Sequence, residues 1–242
     1  MLEVRDLNAF YGKGHIVQGI SFEVVEGEVL GILGRNGVGK TTVLRCILGL
    51  APPRKTGTIR FYDHDISTFP AHKIAGLGMG YVPQGRRIFP RLTVLENLIL
   101  PVTSGKVEQK DIEEVYRYFP VLRERARQLG STLSGGEQQM LAIGRAIMSR
   151  PKLIIVDEPT EGLQPSMVMA VRESVKALAR QGITAMIADQ NLENALELCD
   201  RVYVLEKGLI RYEERRANLS MELLHRHLGV TSATAFKGEI KN

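Results

Sequence analysis

Gly34-Arg35-Asn36-Gly37-Val38-Gly39-Lys40-Thr41 is a complete G-x-x-x-x-G-K-[ST] phosphate loop. Its flanks give the pattern structural meaning. Glu28 to Leu33 has the apolar run of a fully buried strand, and Thr42 to Leu50 has the pattern of a helix stopped by Ala51-Pro52-Pro53. Glycines between a strand and a helix let successive backbone N–H groups curl round a phosphate, and the helix behind them points its positive end at it. In such a loop Gly34, Arg35, Asn36, Gly37, Val38 and Gly39 supply the cradle. Lys40 reaches the β- and γ-phosphates, the Thr41 hydroxyl ligates Mg²⁺, and Thr42 is placed to help hold the α-phosphate.

Outward from this loop, the chain alternates strands and helices. Leu2 to Leu7, Ile16 to Val25, Gly57 to Tyr62 and Gly80 to Pro83 are expected as strands, with a short helix around Ala71 to Ala75. From Thr93 to about Leu129 the pattern turns helical and more polar, and Glu137 to Ser149 is an apolar-periodic helix. Alternation resumes with strands at Leu153 to Val156, Ile183 to Ala188 and Val202 to Leu205 and helices at Met167 to Arg180 and Leu192 to Leu198. Such alternation predicts an α/β fold with a mostly parallel sheet covered on both faces. The helical stretch from about 85 to 150 interrupts it as an inserted lobe. No internal repeat is visible, so a single domain over 1–229 is expected, with a loosely ordered tail at 230–242.

The 242 residues suit one large α/β domain or two small ones, and 44% hydrophobic with 24% charged content is ordinary for a globular protein. No apolar run approaches the roughly 18 residues that would span a bilayer, and the first residues lack the apolar core of a signal peptide. Cys46 and Cys199 offer neither a metal spacing nor a disulfide framework. His225 and His227 are two apart and on a helix would diverge. The net charge of +5 admits anionic partners, but no basic block interleaved with aromatics supports binding of nucleic acid.

Two further motifs accompany the loop. Leu153-Ile154-Ile155-Val156-Asp157-Glu158 is an apolar strand closed by two carboxylates, and ligands of parallel sheets gather at strand carboxyl ends. Leu133-Ser134-Gly135-Gly136-Glu137 precedes a helix and forms a second phosphate-binding end. In this order the three motifs resemble the ATP-binding-cassette ATPases, over nearly the whole chain from Leu2 to Gly229. The resemblance implies a P-loop core, an antiparallel N-terminal β subdomain and the inserted helical lobe. It implies ATP and Mg²⁺ as ligands, Asp157 as the Mg²⁺ carboxylate, and Glu158 as the group that polarises the attacking water. Tyr11 takes the place of the ring that stacks on adenine, and Gln84 that of the glutamine touching Mg²⁺ and the lobe. Ser134, Gly135, Gly136 and Glu137 would grip the γ-phosphate held by another subunit, in a head-to-tail dimer.

The sequence departs from the common family pattern at two places. Glu161-Gly162-Leu163-Gln164 replaces the usual Ser-Ala-Leu-Asp, and Gln190 stands where a switch histidine is usual. Both departures resemble the second ATPase of importers for branched-chain amino acids, urea and short amides, as do the stretches Val82 to Val94 and Glu161 to Ser166. This implies a homologous sister ATPase, transmembrane permease subunits, and a periplasmic or extracellular solute-binding protein acting through the permease. It places the chain peripherally on the cytoplasmic face of the plasma (inner) membrane. An exporter ATPase for lipid or polysaccharide and a family member acting on ribosomes or DNA remain as alternatives.

Overall fold

A computed structural model of the chain describes residues 1–102 and 107–228. The tail expected at 230–242 lies outside the described residues. The chain opens with a hairpin of β1 (Leu2–Tyr11) and β2 (Gly14–Val24), followed by β3 (Val29–Leu33) and α1 (Lys40–Ile47). Next come β4 (Arg54–Phe61), β5 (His64–Asp65), α2 (Ala71–Gly76) and β6 (Met79–Val82). The lobe follows as α3 (Val94–Ile99), α4 (Gln109–Tyr118), α5 (Pro120–Glu124) and α6 (Gly135–Ile147). The chain then returns through β7 (Leu153–Asp157), α7 (Pro165–Arg180), β8 (Thr184–Asp189), α8 (Leu192–Leu198), β9 (Arg201–Glu206), β10 (Leu209–Arg215) and α9 (Met221–His227).

The strands form two sheets. One is antiparallel, in the order β2-β1-β4-β5; the other runs β10-β9-β3-β8-β7-β6, parallel except for its edge strand β10. Strands β3, β7 and β8 are buried along their whole length. Their alternating side chains feed two separate cores. Val29, Leu33, Ile154, Val156, Ala185 and Ile187 face the helical lobe with α7, α8 and α9, whereas Leu30, Ile32, Leu153, Ile155, Met186 and Ala188 face α1 and the antiparallel sheet. A near-continuous apolar strand is what a sheet covered on both faces requires. Each fully buried Leu, Ile or Val in it stabilises the fold by about 1.5–3 kcal/mol.

The lobe lies between β6 and β7, within the expected insertion. Its long helical stretch is broken where the sequence supplies stops and starts. Thr93 and Glu96 form a capping box that starts α3, and Pro120 stands in the first turn of α5. Besides the two-residue strand β5, two elements exceed the sequence expectation. Strand β10 carries charges at four of seven positions and pairs only with β9 at the sheet edge, and α9 buries only Leu224.

The turn into β10 has a structural duty. Gly208 donates its N–H to the Val38 carbonyl of the phosphate loop at 3.1 Å and accepts from Gln18 N of β2 at 2.8 Å. Its φ is +78°, and a Cβ there would lie 2.1 Å from the Ile16 carbonyl oxygen. Gly208→Ala is therefore expected to destabilise the chain by about 2 kcal/mol, a fall of roughly 4–8 °C in Tm for a chain of this size. Calorimetry checks this; an unchanged Tm would contradict the packing described.

Candidate active site

The carboxyl ends of the central strands converge through the sheet register. Leu33 pairs beside Asp189, and Asp157 beside Ala188. Two backbone hydrogen bonds tie the loops that follow: Gly34 N donates to Asp189 O at 3.2 Å, and Glu158 N to Ala188 O at 2.8 Å. Gly34 is required by close approach, since a Cβ would lie 2.6 Å from Leu205 O. The loop runs to Gly39, and α1 begins at Lys40. The β1–β2 hairpin leans on this loop, with Ile16 O 3.4 Å from the Cβ position of Gly39. Tyr11 ends β1 opposite Gly14 in that hairpin and is 39% exposed, which leaves ring surface for stacking.

Lys40 is almost wholly buried and turned into the site. Its Nζ donates to Gly34 O at 2.9 Å and Arg35 O at 3.2 Å, and lies 3.3 Å from Glu158 Oε1. Thr42 is buried, and Thr41 sits beside Asp157, where its hydroxyl opposes the upward shift of that carboxyl. Asp157 is 1% exposed and no hydrogen bond of ordinary geometry reaches either carboxylate oxygen. Burial pushes its pKa up to about 6. An orphaned carboxylate beside a threonine hydroxyl fits a hard divalent cation that prefers oxygen ligands.

Glu158 adopts a left-handed backbone, φ +49°, at the end of its strand. Burial raises its pKa, opposed by Lys40. Gln84 donates its amide Nε2 to Glu158 Oε2 at 3.1 Å and to Glu161 Oε2 at 2.8 Å. Both contacts consume donors, so the Gln84 oxygen remains available as an acceptor or metal ligand. Asp189 is 4% exposed, and burial raises its pKa as well. Its Oδ1 accepts from the N–H groups of Gln190 at 2.7 Å and Asn191 at 2.9 Å, fixing the loop on which the exposed Gln190 stands.

The Leu-Ser-Gly-Gly-Glu segment belongs to the lobe. Ser134 caps α6 in a reciprocal box: Ser134 N donates to Glu137 Oε2 at 2.8 Å, and Ser134 Oγ accepts from Glu137 N at 3.4 Å. The box leaves the N–H groups of Gly135 and Gly136 without intrahelical acceptors, as in the first turn of any helix. Glu137 also pairs with Arg125 at 2.8 Å, the Arg86 guanidinium lies over Gly135, and Met167 packs on Gly136. Among the described residues, no hydrogen bond or ion pair joins Ser134, Gly135, Gly136 or Glu137 to the phosphate loop. Gly34 to Thr42, Asp157, Glu158 and Gln84 are thus brought together, whereas the segment on α6 presents its end separately.

Sequence reasoning missed Glu161, Thr160, Asp189 and Asn194. Glu161 was visible as a departure from pattern, but its contact with Gln84 was not. A cleft of about 1000 Å³ lies away from the phosphate loop, none of whose residues line it. It lies between α2, β6 and the lobe, and Leu50, Ala75, Tyr81, Arg145 and Arg150 border it. Beside it Phe89 is 45% exposed, so it is not lobe core, and Arg145 lies over its ring at 5.1 Å. Buried Asn97 holds that turn, accepting from Phe89 N at 2.8 Å and donating to Phe89 O at 2.9 Å.

A parallel sheet with a phosphate loop, two buried carboxylates at the next strand and a capped glycine pair on an inserted lobe defines a nucleotide-hydrolysing cassette. The family model described as ABC transporter matches residues 17–161, more than half of the chain. Across 221 residues the chain is 41% identical to the high-affinity branched-chain amino acid transport ATP-binding protein BraG of Pseudomonas aeruginosa, covering 90% of this chain and 94% of that protein. It is 34% identical over 212 residues to the lipopolysaccharide export system ATP-binding protein LptB of Escherichia coli, covering 86% and 87%. The crystal structure of a nucleotide-free ATP-binding cassette from an ABC transporter superposes with a TM-score of 0.80 at 26% identity, covering 95% of each chain. The chain belongs to the ABC transporter family and is an ATP hydrolase coupled to transport.

The sign of the Asp157 shift gives a direct test. Its folded pKa of about 6 stands above the ordinary 3.8, so folding favours the protonated form. That contribution is full below the unfolded value and is lost as pH rises through about 6. Without nucleotide or Mg²⁺, Asp157→Asn should stabilise the chain at pH 8 by on the order of 2–3 kcal/mol. The gain should shrink as the pH is lowered below 6. Denaturant unfolding at several pH values measures it, and no gain at pH 8 would contradict the burial argument.

Proposed function

We propose that this chain is the ATP-hydrolysing subunit of an importer for branched-chain amino acids or for the related urea and short-amide substrates. The observation that carries the chemistry is the convergence of Lys40 with the buried carboxylates of Asp157 and Glu158. What supports the importer is the higher identity to BraG than to LptB, together with Gln190 and the stretch Glu161 to Gln164. The exporter reading rests on the lower identity.

In this reading Tyr11 stacks on adenine and the backbone from Gly34 to Gly39 cradles the phosphates. Lys40 is the cation acting on Asp157, Glu158 and Asp189 alike, so incoming phosphates compete with Glu158 for it. Once Lys40 turns to the phosphates, Glu158 is free to take a proton from the attacking water as the water oxygen bonds to the γ-phosphorus and the bond from that phosphorus to the bridging oxygen breaks, releasing ADP. Thr41, Asp157 and Gln84 would hold Mg²⁺, which supplies neutralisation of the phosphate charge when bound. Ser134, Gly135, Gly136 and Glu137 grip the γ-phosphate bound by a sister ATPase, and Gln190 offers a neutral amide to the one bound here.

Coupling runs from Gln84 into 85–92. Gly85, Arg86 and Arg87 have φ of +76°, +66° and +44°, so two arginines hold a costly left-handed backbone directly after the glutamine. A short helix of a permease subunit docking near Phe89 would sense this turn, and a solute-binding protein would act through that permease.

Lys40→Ala should abolish ATP binding. Glu158→Gln should keep it and slow hydrolysis by roughly 10²–10⁴-fold. Nucleotide titration and phosphate release measure both, and wild-type turnover by Glu158→Gln would remove the base assignment.

Because glutamine cannot titrate near neutral pH, the two composite sites should be unequal. Purified alone, the chain should bind ATP and hydrolyse it slowly, and addition of a histidine-bearing sister ATPase should raise the rate. Brisk, cooperative hydrolysis by the pure chain, lost on Gln190→Ala, would show instead that the homodimer suffices.

A further inference from the structure

Asn194, in the first turn of α8, is 1% exposed, and both polar atoms of its side chain are engaged. Its Nδ2 donates to Thr160 Oγ1 at 2.6 Å and to Asp189 Oδ2 at 2.6 Å. Its Oδ1 accepts from Arg172 Nε of α7 at 2.5 Å. Thr160, Asp189 and Arg172 are 7%, 4% and 9% exposed, so the whole cluster is shielded from water. These partners come from different segments. Thr160 follows Glu158 by two residues, and Asp189 immediately precedes Gln190.

We propose that Asn194 is a positioning residue of the hydrolytic site: its amide clamps the loop that carries Glu158 to the loop that carries Gln190. The two loops then meet the same phosphate as one body. This rests on the roles given above to Glu158 and Gln190. The residue type suits the task, because one amide nitrogen offers two donors, to a hydroxyl and a carboxylate, while its oxygen serves a guanidinium. Alanine would leave Thr160, Asp189 and Arg172 short of partners in a buried setting. A carboxylate would set a second negative charge against Asp189.

The charges facing the cluster come from every element packed on it. Arg172 on α7 pairs with Glu193 at 3.1 Å and Glu197 at 3.8 Å on α8, while Lys40 acts on Asp189 from α1. Glu158 and Asp157 lie at the end of β7, and Asp200 follows α8. All are unchanged among the variants, so differences between variants report on position 194 itself.

The test measures kcat, nucleotide KM and Tm against pH for the assembled transporter with wild-type chain, Asn194→Ala, Asn194→Asp, Thr160→Val and the double variant Asn194→Ala with Thr160→Val. Asn194→Ala should lower kcat on the order of tenfold with KM within about twofold. Thr160→Val should lower kcat in the same sense and add little to Asn194→Ala, because both break one clamp. In Asn194→Asp the two carboxyls share a proton at low pH, and the protonated one donates to the other as the amide does. Its kcat should therefore approach wild type at the acid end and fall as pH rises, a limb absent from wild type. Should Asn194→Ala fail to fold, Thr160→Val against Thr160→Ser carries the test: valine should lose kcat and serine restore it. Wild-type kcat in Thr160→Val, or losses in both Asn194 variants that only follow Tm with no new pH limb, would overturn the clamp. Wild-type turnover by Glu158→Gln would overturn the site assignment instead, whatever position 194 does.

Discussion

Buried carboxylates are the constraint on which this structure turns. Asp157, Glu158 and Asp189 gather at the carboxyl ends of two adjacent parallel strands, and Lys40 is the cation acting on all three. Charges so shielded must be paired, hydrogen-bonded or protonated. Asp189 is satisfied by two backbone N–H groups and by Asn194, and Glu158 by Lys40 and Gln84. Asp157 is left to burial, and its raised pKa records the cost. A fold selected for stability alone would not leave that carboxyl unpartnered, and the proposed role as a metal ligand gives it a partner.

The surroundings transmit what happens at these carboxylates. Gln84 touches Glu158 on one side and begins the strained turn of Gly85, Arg86 and Arg87 on the other. Arg86 lies over Gly135 at the start of α6, and Arg145 of α6 donates to Arg87 O at 2.9 Å while covering Phe89. A change at Glu158 therefore has a short material route to the capped glycine pair and to the cleft beside the lobe. Glu161, which replaces the usual serine, adds a second acceptor for Gln84 on that route.

The fold and the core of the site were legible because they rest on local physics. A buried strand, a glycine loop and a helix are contiguous, so Gly34 to Thr42 declares itself, and Asp157 and Glu158 stand out at the end of an apolar run. The clamp of Thr160, Asp189, Arg172 and Asn194 was not legible, because its members are ordinary polar residues from separate segments that only tertiary packing unites. Asp189 was overshadowed by its neighbour Gln190. Strand β10 was hidden by its charges, since an edge strand needs little apolar alternation when a turn such as Lys207-Gly208 sets its pairing. The long polar stretch after Thr93 has continuous helical character, but caps and prolines divide it into separate helices.

The central claim is that Lys40 is shared between Glu158 and the nucleotide phosphates. A crystal structure with Mg²⁺ and a non-hydrolysable ATP analogue gives the deciding distance. Lys40 Nζ should lie on the phosphates, and its separation from Glu158 Oε1, here 3.3 Å, should open past ion-pair range. Retention of the 3.3 Å pair, with the phosphates bound by other groups, would contradict it.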